Sequence, residues 1–208
     1  LLMATSVSPA AASAERQMIT LPIADGLTCF RGLSPKRSRF ELEYALERGS
    51  TANSFLFAAG ADTAGVPQAA VLVHPPGAAY GSVFLPVLHQ ALPDPASKLV
   101  VVVGHVNPNR VALLRDLASA YSGLELVASN AGAKLLRELW SLRRPPAPGD
   151  ESPQPPLPDL PEIQVIRQEQ TLPVSHGHQL LVLPAPTPRW PGGLLAFEET
   201  LGLLMSDK

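Results

Sequence analysis

Five consecutive apolar residues, Leu99 to Val103, end at Gly104-His105 and are followed within three residues by Asn107-Pro108. An apolar run without alternation is what a strand buried on both faces looks like, so it demands a covering layer on each side. Asn107 then reads as a helix N-cap with Pro108 as the first helical residue. A strand, loop and helix in this order place the loop's side chains beyond the strand's carboxyl end, where α/β proteins keep their chemistry. The loop therefore has two readings, an active-site loop or a well-capped turn.

The flanking segments decide between architectures. Upstream, Met18 to Pro22 and Leu27 to Leu33 read as strands joined by the Asp25-Gly26 turn. Arg39 to Leu46 alternates, with Phe40, Leu42, Tyr44 and Leu46 on one face and Glu41 and Glu43 on the other. Further strands begin at Thr51 and at Gln68, so the first third reads as an antiparallel sheet. Downstream the pattern changes. Val83, Phe84, Val87, Leu88 and Ala91 fall at helical spacing; a helix follows from Pro108 to Tyr121, a strand from Leu124 to Ala128, and a helix from Asn130 to Leu142. This β-α-β-α order makes its strands parallel. Glu162 to Val174, Gln179 to Leu183 and Leu194 to Met205 read as strands of a second sheet half. An antiparallel start argues against the rival architecture, a three-layer doubly wound sheet, because that fold opens with β-α-β.

With 208 residues, a net charge of −2 and only 16% charged residues, the chain can bury a core and offers no electrostatic case for nucleic acid. No apolar run reaches the roughly 18 residues of a membrane helix. The single cysteine, Cys29, excludes an internal disulfide and suits a reducing, cytoplasmic compartment. Eight of the 23 prolines fall in residues 143–161, which reads as an exposed polyproline-like insertion. Residues 1–17 read as a loose, disordered tail, leaving 18–208 as part of one domain. The chain reads as cut at both ends, since it opens on Leu-Leu-Met and stops directly after an apolar run.

Few constellations carry chemistry by spacing alone. His176-Gly-His178 could supply two metal ligands, but no Cys, Asp or Glu stands near it. Cys29 lies in an apolar strand and reads as a packed thiol. His74 and His89 read as packing or surface residues. A phosphate loop and a nucleophile elbow are both lacking.

The opening motifs Arg39-Phe40-Glu41-Leu42-Glu43 and Thr51-Ala-Asn53-Ser54-Phe55-Leu56, with the strand and loop around His105, together resemble the flavodiiron proteins. These are oxygen or nitric oxide reductases with a metallo-β-lactamase fold, and the oxygenic-photosynthetic, cyanobacterial type is the best match. The resemblance covers Ile19 to Asp207 and implies an αββα sandwich, incomplete at its C-terminal side. The family's metal loop reads H-x-E-x-D-H; here the frame is His105-Val-Asn107-Pro-Asn109-Arg110. A later H-W-P stretch is Arg189-Trp190-Pro191, and Ser206-Asp207 matches the frame of the bridging aspartate.

The resemblance thus implies a degenerate di-iron site at His105, Asn107, Asn109, Arg110, Arg189 and Asp207. Amide oxygens are weak iron ligands beside carboxylates, and guanidinium has no lone pair to give. A guanidinium about 4 Å from a divalent ion would repel it by about 8 kcal/mol at an effective dielectric of 20. The expectation is a domain that binds no metal and is inactive by itself. FMN and di-iron would then reside in other modules or in a partner flavodiiron subunit. Through that assembly it would support NAD(P)H-dependent reduction of oxygen to water, a photoprotective electron transport. If Arg110 and Arg189 converge on His105, either an Arg–Asp207 salt bridge or a small bound anion should stand where the family holds iron. Two alternatives remain open: an active metal-dependent reductase or hydrolase using His105, His176, His178 and Asp207, and an interaction module acting through the Pro-rich loop.

Overall fold

The computed structural model describes residues 16–37, 39–40, 44–47, 49–143 and 156–207. In it the Asp25-Gly26 turn joins β1 (Gln17–Ala24) to β2 (Leu27–Ser34) in antiparallel register. Gly26 has a φ of 68°, a left-handed conformation that glycine adopts without steric cost. The alternating segment that reads as one strand over 39–46 is instead two short strands, β3 (Arg39–Phe40) and β4 (Tyr44–Ala45), paired antiparallel. Alternation of period two is a property of each arm and does not report the reversal between them; Glu41, Leu42 and Glu43 lie outside the described residues. β5 (Ser50–Phe57) pairs with β2. A small hairpin, β6 (Gly60–Ala61) and β7 (Pro67–Gln68), then leads into β8 (Ala70–Val73), which pairs antiparallel with β5.

A 3-10 turn at Ala78–Tyr80 runs into helix α1 (Gly81–Ala91), and the chain alternates from there. β9 (Lys98–Val102), α2 (Pro108–Ala120), β10 (Gly123–Ser129) and α3 (Asn130–Trp140) follow in order. β9 inserts parallel to β8, and β10 parallel to β9. Asn107 is the N-cap of α2, its side chain accepting from Arg110 N–H at 2.8 Å. The cap of α3 is Ser129 rather than Asn130, with its hydroxyl accepting from Gly132 N–H. Helix α3 stops at Trp140, short of Leu142, where the Arg115 guanidinium donates to the carbonyls of Leu139, Trp140 and Leu142. Most of the Pro-rich insertion, 144–155, lies outside the described residues, as do residues 1–15 of the tail; Gln17 already belongs to β1.

The largest departure from the sequence reading follows the insertion. Glu162 to Val174 is two strands, not one. β11 (Glu162–Ile166) pairs parallel with β10 and completes the first sheet, in the order β1-β2-β5-β8-β9-β10-β11. The polar stretch Arg167-Gln168-Glu169 then carries the chain across to β12 (Gln170–Leu172) in the second sheet. That sheet continues with β13 (Leu180–Pro184), β14 (Leu194–Glu198) and β15 (Leu203–Met205), all antiparallel. Residues 194–205 are therefore also two strands, turned at Gly202 with a φ of 66°.

Two cores hold three layers together. Phe84, Leu88, Leu114, Leu117 and Leu136 of the helices pack on Phe30, Leu72, Val101 and Leu126 of the seven-stranded sheet. On its other face Val71, Val73, Val102 and Val127 meet Leu172, Leu180, Val182, Leu194 and Ala196 of the four-stranded sheet. The central strands are thus buried on both faces, as an unalternating apolar run requires. This is the helix–sheet–sheet part of an αββα sandwich. The strands before Tyr80 pair only antiparallel with one another, which removes the doubly wound alternative.

Candidate functional site

The parallel strands β8 and β9 deliver the two histidines. His74 directly follows β8, and His105 stands three residues past β9, so both lie beyond carboxyl ends of adjacent strands. His74 is 1% exposed and adopts a φ of 56°, unusual for a residue with a Cβ. Its backbone is held by Val102, whose carbonyl accepts from His74 N–H, and by Ser54, whose hydroxyl donates to the His74 carbonyl. The His74 Nε2 lies 3.0 Å from the Met205 carbonyl; a carbonyl only accepts, so Nε2 carries the proton. Burial lowers the His74 pKa, opposed by the Asp207 charge and the Met205 bond and assisted by Arg110. The neutral ring thereby fastens the end of β15 to the end of β8.

That fastening places Asp207, two residues beyond Met205. The Arg110 guanidinium, in the first turn of α2, forms an ion pair with the Asp207 carboxylate. The same Nη1 donates to the His105 carbonyl at 3.3 Å. Both side chains are about nine-tenths buried. Burial works to raise the Asp207 carboxyl, but Arg110, with smaller contributions from His74 and His105, outweighs it and holds the pKa below 3.8. Trp190 from the loop between β13 and β14 sets its indole edge-on to the His105 ring, with centroids 4.0 Å apart.

These groups line one cavity of about 760 Å³. His105, Asn107, Asn109, Arg110 and Asp207, picked out from the sequence, all border it. Arg189 does not: it is exposed, with its guanidinium over the Trp190 ring at 5.6 Å. The sequence reading missed His74, whose signal was its place at the end of a second buried strand. It also missed the cations Arg16, Lys36 and Arg37, which reach the cavity from segments distant in sequence.

The paired histidines are used elsewhere. His178 Nε2 donates to the Asp25 carbonyl, its Nδ1 stands 3.3 Å from the Glu198 carboxylate, and its ring packs edge-on against Phe57. His176 is hydrogen-bonded to Ser175 and lies against Gly26 and Gly60. Neither borders the cavity, so the four-residue metal set His105, His176, His178 and Asp207 is not brought together. Among the described residues no three His, Cys, Asp or Glu side chains group so as to hold a metal ion. Cys29 is buried, and burial raises its thiol pKa. His89 stacks on Tyr121 and shares a hydrogen bond with its hydroxyl.

The chain matches no protein-family model. It is 34% identical over 193 residues, 93% of its length, to diflavin flavoprotein A 6 of Nostoc sp. (strain PCC 7120). It is 32% identical over 207 residues to diflavin flavoprotein A 3 of Synechocystis sp. (strain PCC 6803). It spans 30% and 31% of the length of these two relatives. Its fold superposes on a metal-soaked flavodiiron core, Flv1, from Synechocystis sp. PCC6803 with a TM-score of 0.73 at 32% identity, covering 92% of this chain and 42% of that one. A crystallised fragment of diflavin flavoprotein A 5 from Nostoc sp. PCC 7120 gives 0.71 at 30% identity, covering 92% and 66%. A flavoprotein from Thermotoga maritima shares the fold at 0.69 with 18% identity. Over the segment it shares with these relatives, the chain belongs to the flavodiiron family, and its fold is that family's metallo-β-lactamase-like core.

Proposed function

We propose that this is a non-metal-binding metallo-β-lactamase-like domain of a flavodiiron-type subunit, serving NAD(P)H-dependent oxygen reduction by assembling with a metal-bearing partner subunit. The observation that carries the reading is the Arg110–Asp207 ion pair. It places a fixed positive charge on the one carboxylate that borders the cavity among the described residues, next to His105. The remaining donors do not fit a di-iron centre. The Asn107 oxygen is engaged in capping α2, and the Asn109 amide packs against Gly77. A metal bound here would have to displace Arg110 from Asp207 and leave a buried guanidinium unpaired. FMN and iron belong, in this reading, to other modules or to the partner. No helix among the described residues is long and apolar enough to cross a membrane, and a cytoplasmic location is part of the proposal.

The test is metal analysis of the full-length protein after incubation with ferrous iron, alone and mixed with a metal-bearing relative. The expected result is no stoichiometric metal in this chain and oxygen consumption only in the mixture. Stoichiometric iron or zinc that disappears in His105→Ala would overturn the reading.

A further inference from the structure

His74 is a buried titratable group that the proposed function leaves unused, and it joins the two sheets. Its backbone is bonded to β9 through the Val102 carbonyl and to β5 through the Ser54 hydroxyl. Its Nε2–H donates to the Met205 carbonyl at the end of β15. β15 has three residues and stands at the edge of the four-stranded sheet, paired with β14. An edge strand this short has few bonds to hold it, so a side-chain tether governs how readily it opens.

The seat of the ring suits one protonation state. With Nε2 donating to Met205, Nδ1 carries the lone pair, and it has no hydrogen-bond partner among the described residues. The Cε1–Nδ1 edge lies against Gly104, where even a Cβ would overlap it. A proton on Nδ1 would be a buried donor without an acceptor, on a cation that is 1% exposed. Burial therefore lowers the His74 pKa from 6.5. Two charges act on the ring: Asp207, just beyond β15, favours the cation, and Arg110 of α2 opposes it while already holding Asp207. Ser54, Gly104 and Met205, the other groups against His74, carry no charge.

Space outside the seat adjoins it. His74 borders the 760 Å³ cavity, and its φ of 56° is sparsely populated for a residue with a Cβ, so release also relaxes the backbone.

We propose that His74 is an acid-released latch between the two sheets. Neutral, it holds β15 to the end of β8. Protonated, the ring leaves its seat for the cavity, β15 comes loose, and the arm that sets Asp207 on Arg110 slackens. Linkage gives the sign: the open state takes up a proton that the closed state excludes. The latch is thus fully closed above the ordinary imidazole value of 6.5 and weakens as pH falls from there toward the lowered value of the seated ring. One proton changes the open-to-closed ratio by up to about tenfold per pH unit in that window. This device goes beyond the assembly role and does not depend on it.

The test is hydrogen–deuterium exchange of the full-length protein, read by peptide-resolved mass spectrometry and corrected for the intrinsic pH dependence of exchange. Protection of residues 203–205 should fall roughly five- to tenfold per pH unit between about pH 6.5 and 5. His74→Gln and His74→Asn do not titrate and should abolish this dependence; Gln keeps a donor for Met205, and Asn tolerates the left-handed backbone. His178→Gln should retain it, because His178 faces Glu198 on β14 rather than the latch. Deuteration at imidazole Cε1 follows the titration of His74 itself in the unmutated protein, and it should coincide with the loss of protection. Protection indifferent to pH, a dependence kept in either His74 variant or lost in His178→Gln, or a His74 ring that titrates while 203–205 stay protected would each overturn the proposal.

Discussion

Replacing Asp207 by Asn isolates the contribution of the ion pair at the centre of the site. The change keeps the shape of the side chain and removes its charge. Arg110 would keep only neutral acceptors, the His105 carbonyl at 3.3 Å and the new amide oxygen, while its guanidinium remained about nine-tenths buried. Breaking a buried pair from one side costs about 3–5 kcal/mol, since the surviving charge loses its compensation. For a domain of this size that corresponds to roughly 10 °C in Tm. Equilibrium urea denaturation at neutral pH measures it directly. The paired substitution Arg110→Met with Asp207→Leu removes both charges and should recover most of the loss, because an apolar pair of similar volume is often as stable as a buried ion pair. The pH dependence has a definite sign. The Asp207 pKa is held below 3.8, so its contribution is complete above that value and is lost as pH falls through the folded-state pKa. In Asp207→Asn this acid-side loss should vanish. A cost below about 0.5 kcal/mol, typical of exposed pairs, or equal stability of the single and double variants, would refute the reasoning.

Three other outcomes are expected. Glu198, fully buried, accepts from Gln179, Thr200 and Leu201 N–H; Glu198→Gln should cost about 1–3 kcal/mol by urea denaturation. Burial tends to raise the Glu198 pKa, but those bonds hold it below 4.5, so the variant should also lose part of the destabilisation seen as pH falls below that value. A Cβ at Gly104 would run into the His74 imidazole and stand 3.0 Å from the Leu194 carbonyl, so Gly104→Ala should destabilise by about 1–3 kcal/mol and perturb the His74 ring resonances in NMR spectra. Arg189→His alone should leave the protein without metal by elemental analysis, since residue 189 lies outside the cavity and Arg110 still holds Asp207; metal uptake by this variant would contradict the charge argument.

Much of this protein is legible in its sequence because local patterns report local structure. The unalternating run 99–103, the Asn107-Pro108 cap and the helical spacing of α2 specify a buried strand and a capped helix, and the structure contains both. The loop residues bordering the cavity follow from the same frame, since a loop after such a strand stands at the sheet's carboxyl edge. Periodicity fails where the chain changes partner. The residues of β11 and β12 read as one strand because alternation does not encode which sheet a segment joins; that is set by the parallel pairing of β11 with β10. The segments of β3 and β4, and of β14 and β15, merge in the sequence for the same reason.

The site divides in the same way. His105, Asn107, Asn109 and Arg110 are near neighbours in sequence, so their convergence needs only one strand end and one helix turn. Asp207 is 97 residues from Arg110, and only the stacking of the second sheet on the first, fixed in part by the His74 bond to Met205, brings its carboxylate to the guanidinium. His74 looks unremarkable in the sequence because its role comes from a left-handed backbone and a contact 131 residues away. Arg189 shows the converse. A sequence frame puts it in the site, but the loop between β13 and β14 turns its side chain outward over Trp190. Residue type and spacing determined which donor and charged groups this loop offers; the packing of two sheets decided which charges face one another.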